Sequence, residues 1–509
     1  MRFTKYIVAF GCAALLGACS ATVSSDDDEI FSEKNSSSST SKKGKSSSSV
    51  KESEEEVCTG EPGNPWDGTT AKAFACGSGT KLSPYMILTA EQLAYLSFIV
   101  GANDKEYKGK YFKLGADILL NKGKIIDEKG GFVADSSKLH KWTPIGNSSV
   151  AFDGTFDGDD HTISGMFINT TSSHNGLFGN SSGTIENLTV ADSWIMGCER
   201  TSGIVGNNTG NLKKLTNKAS VNSTKGPVGG IAGSSNDSYG KINSVDSVYN
   251  YGIIKGSSDV GGILGYIDRI KLSHAENHGL IEGEKYTGGI WGGANSTTIE
   301  ANHLINYGKV IGELYTGGIA GYCGHYGIGT KYSAKCGTLT NIRNEGITQG
   351  SSYVGGIAGS FGGKSISISN TASIEGTNYV GGLFGNADFS TTTSLYNTGN
   401  VVGSKNVGGI IGYNQEGVTS AAYSTGKVDG DSLVGLMIGY NYNTTMADYY
   451  YLEQGEQEPF GLNNGGGVAT PKSGDEMKSE KFAELLGEDF VLDSDMNDGY
   501  PILKWEEDL

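Results

Sequence analysis

The chain has 509 residues and a net charge of −17, with 79 glycines and only 8 prolines. The acidity argues against nucleic acid and anionic membrane surfaces as partners, and a glycine content about twice the usual ~7% makes helix improbable through most of the length. Beyond Arg2 the chain carries three arginines, Arg200, Arg269 and Arg343, so a site of paired guanidinium groups gripping uronates or phosphates is not expected.

In chain order, residues 1–18 read as an export signal: Arg2 and Lys5 supply positive charge, and an apolar run from Tyr6 to Leu16 closes on small residues. The run is too short for a comfortable membrane span. "LLGACS" resembles the lipobox of bacterial lipoproteins, which implies cleavage before Cys19 and acylation of that cysteine. Ser20 in the next position implies transfer to the outer membrane. Residues 19–57 are serine and charge with hardly any large apolar side chain, so they predict a flexible spacer. Such spacers resemble those of surface lipoproteins in polysaccharide-degrading bacteria.

Residues 58–170 predict an N-terminal cap and first coils. Thr89 followed by Gln92 is a capping box, opening a helix with Leu93, Leu96 and Val100 on one face. "YFKLGADILL", "KWTPIGN" and "FDGTFDGDDHTISGMFI" read as leading coils.

From 171 to 445 the chain repeats. Glycine anchors from Gly179 to Gly439 recur mostly every 27 residues. In the same phase run Asn250, Asn277, Asn306, Asn344, Asn370 and Asn397, usually as N-x-G. This period is too short for a propeller blade and too rich in glycine for helical repeats. It suits a solenoid of three short strands per coil, stacked in parallel. Glycine would provide positive φ or close approach at the corners, and asparagine tolerates the left-handed region and can bond along a ladder.

V-G-G-[IL]-x-G at this spacing resembles the GLUG repeat of bacterial surface proteins and of some large secreted peptidases. The resemblance implies an all-β, right-handed parallel β-helix. The last copy departs, with Leu436 where glycine is usual, which predicts a terminal coil. Residues 446–509 read as a C-terminal cap, with one amphipathic helix over Asp475–Leu486 stopped by Gly487 and a final strand in "DGYPILKW".

Two cysteine pairs, Cys58 with Cys76 and Cys323 with Cys336, are disulfide candidates in a compartment that permits them. Cys198 remains as a free, buried thiol.

Catalytic patterns are weak throughout. The zincin pattern H-E-x-x-H is absent, so the peptidase side of the resemblance does not carry over. "HAENH" at 274–278 has a spacing that could hold a metal, but Asn277 belongs to the repeat. "GGKS" at 362–365 lacks the leading glycine of a phosphate loop. Asp159-Asp160, "RIK" and "GHYG" match fragments of a polygalacturonase set in the wrong order. Structural calcium has two weak candidates, Asp153, Asp157 and Asp159 together, and "DSDMNDG" at 493–499; no other cofactor is expected.

The candidate ligand face is a column of Tyr286, Tyr315, Tyr353 and Tyr379, each just before a V/T-G-G segment. Turned inward they form a core ladder; turned outward they are apolar platforms with hydroxyl tips for sugar rings or a protein surface. The expectation is a monomeric, outer-membrane, cell-surface lipoprotein. It acts as an adhesin or binding scaffold for polysaccharide or a cell-surface protein and touches the membrane only through its anchor. A β-helix polysaccharide-degrading enzyme and a passive surface module are the alternatives.

Overall fold

The structure is a computed structural model and describes residues 58–236, 242–296, 298–324 and 336–509. The expected signal, Cys19 and the spacer lie outside the described residues.

The chain forms a parallel β-solenoid with three walls. A representative coil runs from Ser352–Gly355 in wall one, through Ala358–Phe361 in wall two, to Lys364–Asn370 and Ile374–Glu375 in wall three. Wall one has nine strands and wall two eleven. Wall three is one 24-stranded sheet, because long strands such as Thr184–Gly197 carry two ladders round a corner. Each coil therefore has four strands, shorter than the three predicted. The Gly-Gly-Ile segment forms a bend that splits one wall into two, and drives its isoleucine into the interior: Ile231, Ile263, Ile290, Ile319 and Ile357 are fully buried. Stacking pairs every strand with those above and below, and one aliphatic core runs from α1 to the last coil.

Inside wall three runs a ladder of fully buried amides. The Nδ2 of Asn217, Asn250, Asn277, Asn306, Asn344 and Asn370 each donates to the Oδ1 of the next asparagine at 2.7–2.8 Å, ending at Asn397. Each of these six also donates to the carbonyl two residues along its own chain. The ladder asparagines sit in strands and not, as expected, in the left-handed region. The ladder explains the second glycine of the bend. A Cβ on Gly356 would lie 2.3 Å from the Gly382 carbonyl oxygen and 2.6 Å from Asn370 Oδ1. At Leu436 the bend still forms; its coil carries Tyr451 in the asparagine register, after Ser424, so no amide needs the space.

The repeat glycines serve close approach alone. Positive φ falls instead on bulkier residues, among them Tyr286, Tyr315, Tyr353 and Tyr379 at 55–58°.

At the N-terminal end α1 (Ala90–Gly101) has the predicted Thr89–Gln92 capping box, and buries Leu93 and Leu96. Tyr111–Leu114, Thr155–Asp157, Thr162–Ser164 and Phe167–Asn169 join the stack in parallel, as leading coils should.

The other end differs from expectation. The solenoid continues past 445 through Thr445–Leu452, Phe460–Asn463 and Thr470–Lys472. The single expected helix is two, α2 (Gly474–Met477) and α3 (Glu480–Leu486), because Ser473 and Ser479 each cap a new start. Phe490–Val491 and Ile502–Leu503 then form an antiparallel pair. Residues 473–509 do not cap the end of the stack. They fold back along the outside of wall three as a strap with its own apolar cluster, in which Met477, Phe482, Leu486, Phe490 and Leu503 cover Tyr396, Tyr423 and Tyr450.

Cys58 is bonded to Cys76 and Cys323 to Cys336. Cys198 is free but half-buried, not fully buried.

Candidate ligand face

The four tyrosines stack. Ring centroids are 5.5 Å apart for Tyr286–Tyr315 and 4.6 Å for both Tyr315–Tyr353 and Tyr353–Tyr379, with interplanar angles of 25°, 12° and 4°. Register makes this unavoidable, because Thr287, Thr316, Val354 and Val380 are paired rung to rung and each tyrosine precedes one of them. The column points outward. Val354 and Val380 belong to the core, whereas none of the four tyrosines does. Tyr286 is buried at the foot of the column and the other three are half-buried.

A second aromatic column stands beside the first. Wall two places Tyr266, Gly293, Tyr322, Ser360, Asn386, Tyr413 and Tyr440 in one register. Tyr322 packs edge-on against Tyr315 at 5.5 Å and 77°, and Tyr413 against Tyr379 at 5.9 Å and 69°. Beneath the columns glycine lets the two walls approach closely: a Cβ on Gly359 would sit 2.6 Å from the Tyr315 carbonyl carbon, and one on Gly385 2.6 Å from that of Tyr353. Between Tyr322 and Tyr413 the second column offers only Ser360 and Asn386, which bond to each other at 3.1 Å. Two successive rungs of this column therefore carry no ring, and Ser360 there is only 7% exposed.

Burial, and then the neighbouring phenols, push the Tyr315 and Tyr353 hydroxyls above their ordinary pKa. Lys285 Nζ stands 4.6 Å from the Tyr286 ring centroid, within cation–π range.

The geometry resolves the inward-or-outward question and changes the chemistry. Ring faces are spent on one another, and the outward surface consists of ring edges with their hydroxyls. The wall-two column is hidden in the sequence because Gly293, Ser360 and Asn386 interrupt its pattern.

The other candidates are dispersed. His274 bonds Asp246 at 2.9 Å, while His278 bonds Glu276 and lies between the rings of Tyr251 and Tyr307. Among the described residues no three His, Cys, Asp or Glu side chains converge on a metal-sized site. Asp159 and Asp160 occupy a tight turn at φ 49° and 62°, and Asp159 pairs with Lys113 at 2.9 Å. Asp153 and Asp157 accept from the Gly109 and Asp159 amides, and Asp493 accepts from the Asp495 amide.

No protein-family model matches the chain. It is 33% identical over 128 residues to a candidate Gly-rich membrane protein of Evansella cellulosilytica, and 32% identical over 137 residues to Halomucin of Haloquadratum walsbyi. These matches cover 25% and 26% of this chain but span only 13% and 1% of the length of those relatives. Among solved structures it is similar to a candidate immunoglobulin A1 protease from Bacteroides ovatus, at 18% identity and a TM-score of 0.31, covering 85% of this chain and 95% of that one.

Proposed function

We propose that the chain is a lipid-anchored, cell-surface binding scaffold or adhesin, monomeric and non-catalytic, whose ligand face is the tyrosine strip. One observation carries this reading: four consecutive coils hold a tyrosine at positive φ, turned away from the core. A bulky residue there is strained by about 1–2 kcal/mol relative to a residue suited to that region. Asn406 occupies the same column one coil further on, so the backbone accepts asparagine. A core role does not account for tyrosine, and recognition does.

The surface location rests on the lipobox and GLUG resemblances, and the name of one relative as a membrane protein accords with it. A spacer of low-complexity serine would hold the solenoid clear of the membrane and present its long side.

The test uses the full chain and a variant with Tyr315, Tyr353 and Tyr379 changed to alanine, on panels of insoluble polysaccharides and immobilised surface proteins. Saturable retention that disappears in a folded variant supports the reading. Retention that survives moves the ligand face elsewhere. Fractionation of a Cys19→Ala chain checks the anchor, which predicts its release from the membrane.

A further inference from the structure

We infer that the tyrosine strip docks an extended polypeptide segment bearing aromatic side chains and carboxylates; this rests on the strip being the ligand face. The molecule contains an example of such docking. On wall three, Tyr396 and Tyr423 stack at 5.2 Å and 7°, and with Tyr450 form an outward ladder like the one on wall one. The C-terminal strap covers it. Phe482 packs edge-on against Tyr450 at 5.4 Å and 85°, and against Tyr423 at 5.8 Å and 70°. The Tyr396 hydroxyl donates to the Glu506 carboxylate at 2.7 Å, and the Tyr423 hydroxyl donates to the Pro501 carbonyl. A stacked tyrosine ladder in this fold therefore receives a chain segment through ring edges and hydroxyl donors.

The strip offers the same groups. Stacking a pyranose needs an open ring face, and Tyr315 and Tyr353 have theirs covered on both sides. Edges and hydroxyls suit aromatic rings packed edge-on and oxygen acceptors. Two lysines at the outer border can meet carboxylates. The wall-one column there carries Lys285 and Lys405, both exposed, among Ser258, Leu314, Ser352 and Asn378, while Glu284 and Glu313 are exposed one position before it.

Phage-displayed random peptides would be panned on the full chain, with counter-selection on a Tyr353→Ser/Tyr379→Ser variant shown to be folded by circular dichroism. Enriched sequences should combine aromatic residues with Asp or Glu, and a synthetic peptide of such a sequence should lose about tenfold or more in affinity for the variant. A Lys285→Gln/Lys405→Gln variant should weaken the same peptide and make binding less sensitive to salt. A labelled peptide of residues Ser479–Leu509 is the second probe. Its binding should fall in the strip variant, whereas Glu506→Gln, which opens the other ladder, should add a second site that the strip substitutions do not remove. No strip-dependent enrichment, or enrichment without aromatic and acidic residues, overturns the inference. Strip-dependent retention on polysaccharide without peptide binding also overturns it, but leaves the strip as the ligand face; failure of every strip-dependent interaction removes both.

Discussion

Arg343 and Glu506 are 163 residues apart in sequence and 2.9 Å apart in space. Their contact fastens the strap to the third wall. Glu506 is fully buried and also accepts from Ser369, Tyr396 and its own Leu503 amide. Arg343 turns its Nε to Glu345 at 2.6 Å. Changing Glu506 to Gln removes the buried charge and leaves a guanidinium only 12% exposed with Glu345 as its remaining carboxylate, at about 3 kcal/mol. Hydrogen exchange should show protection lost in residues 473–509 while the coils keep theirs.

The tyrosine column makes an unusual stability prediction. Tyr353→Asn removes two stacked contacts, each about 0.5–1.5 kcal/mol, but relieves about 1–2 kcal/mol of backbone strain at φ 57°. The net loss in urea denaturation should be under about 2 kcal/mol. A large loss would mean that the column is structural.

Glycines divide sharply by what a methyl group would meet. Gly318→Ala places Cβ 2.1 Å from the Gly356 carbonyl oxygen and 2.3 Å from Asn344, and should cost about 3 kcal/mol. Gly101→Ala, in the last turn of α1 with nothing within 4 Å, should be neutral or stabilise by up to about 1 kcal/mol. Denaturation midpoints of the two variants check the contrast.

Asp388 gives a pH dependence. Burial first, and Glu416 second, raise its pKa from 3.8 to about 6. The folded state then binds a proton that the unfolded state has already lost, so this group stabilises the fold at low pH and that contribution falls as pH rises from about 4 to about 6. Asp259 shifts the same way through burial. Asp388→Asn should flatten the stability profile in that window and raise the neutral-pH melting temperature, readable by calorimetry.

The repeat itself was plainly legible. Period, glycine anchors and the N-x-G phase gave the coil and its parallel stacking, because these features recur as one-dimensional patterns. Asn217 is harder to read, because it lies 33 residues before Asn250 and not 27, yet its amide opens the ladder. The glycines were assigned partly to positive φ, which is invisible in sequence; what they answer to is a backbone in the next coil. The strap was hidden for a similar reason. Nothing local in "DGYPILKW" says that it returns alongside coils laid down far earlier. The tyrosine column was visible as spacing, but its outward aim followed only from the bend that turns the following valine or threonine inward.

The amide ladder has a consequence for how such a protein lengthens. Asn306 and Asn344 are 38 residues apart, and the neighbouring pairs Asn250–Asn277 and Asn370–Asn397 are 27 apart, yet all bond alike. The ladder counts coils, not residues. Extra chain between two walls leaves each amide facing the same neighbour, whereas a slip of one position within a strand would strand a buried amide. Sequence can therefore accumulate freely at the bends while the vertical alignment stays locked, like pages added to a book whose binding holes remain in line.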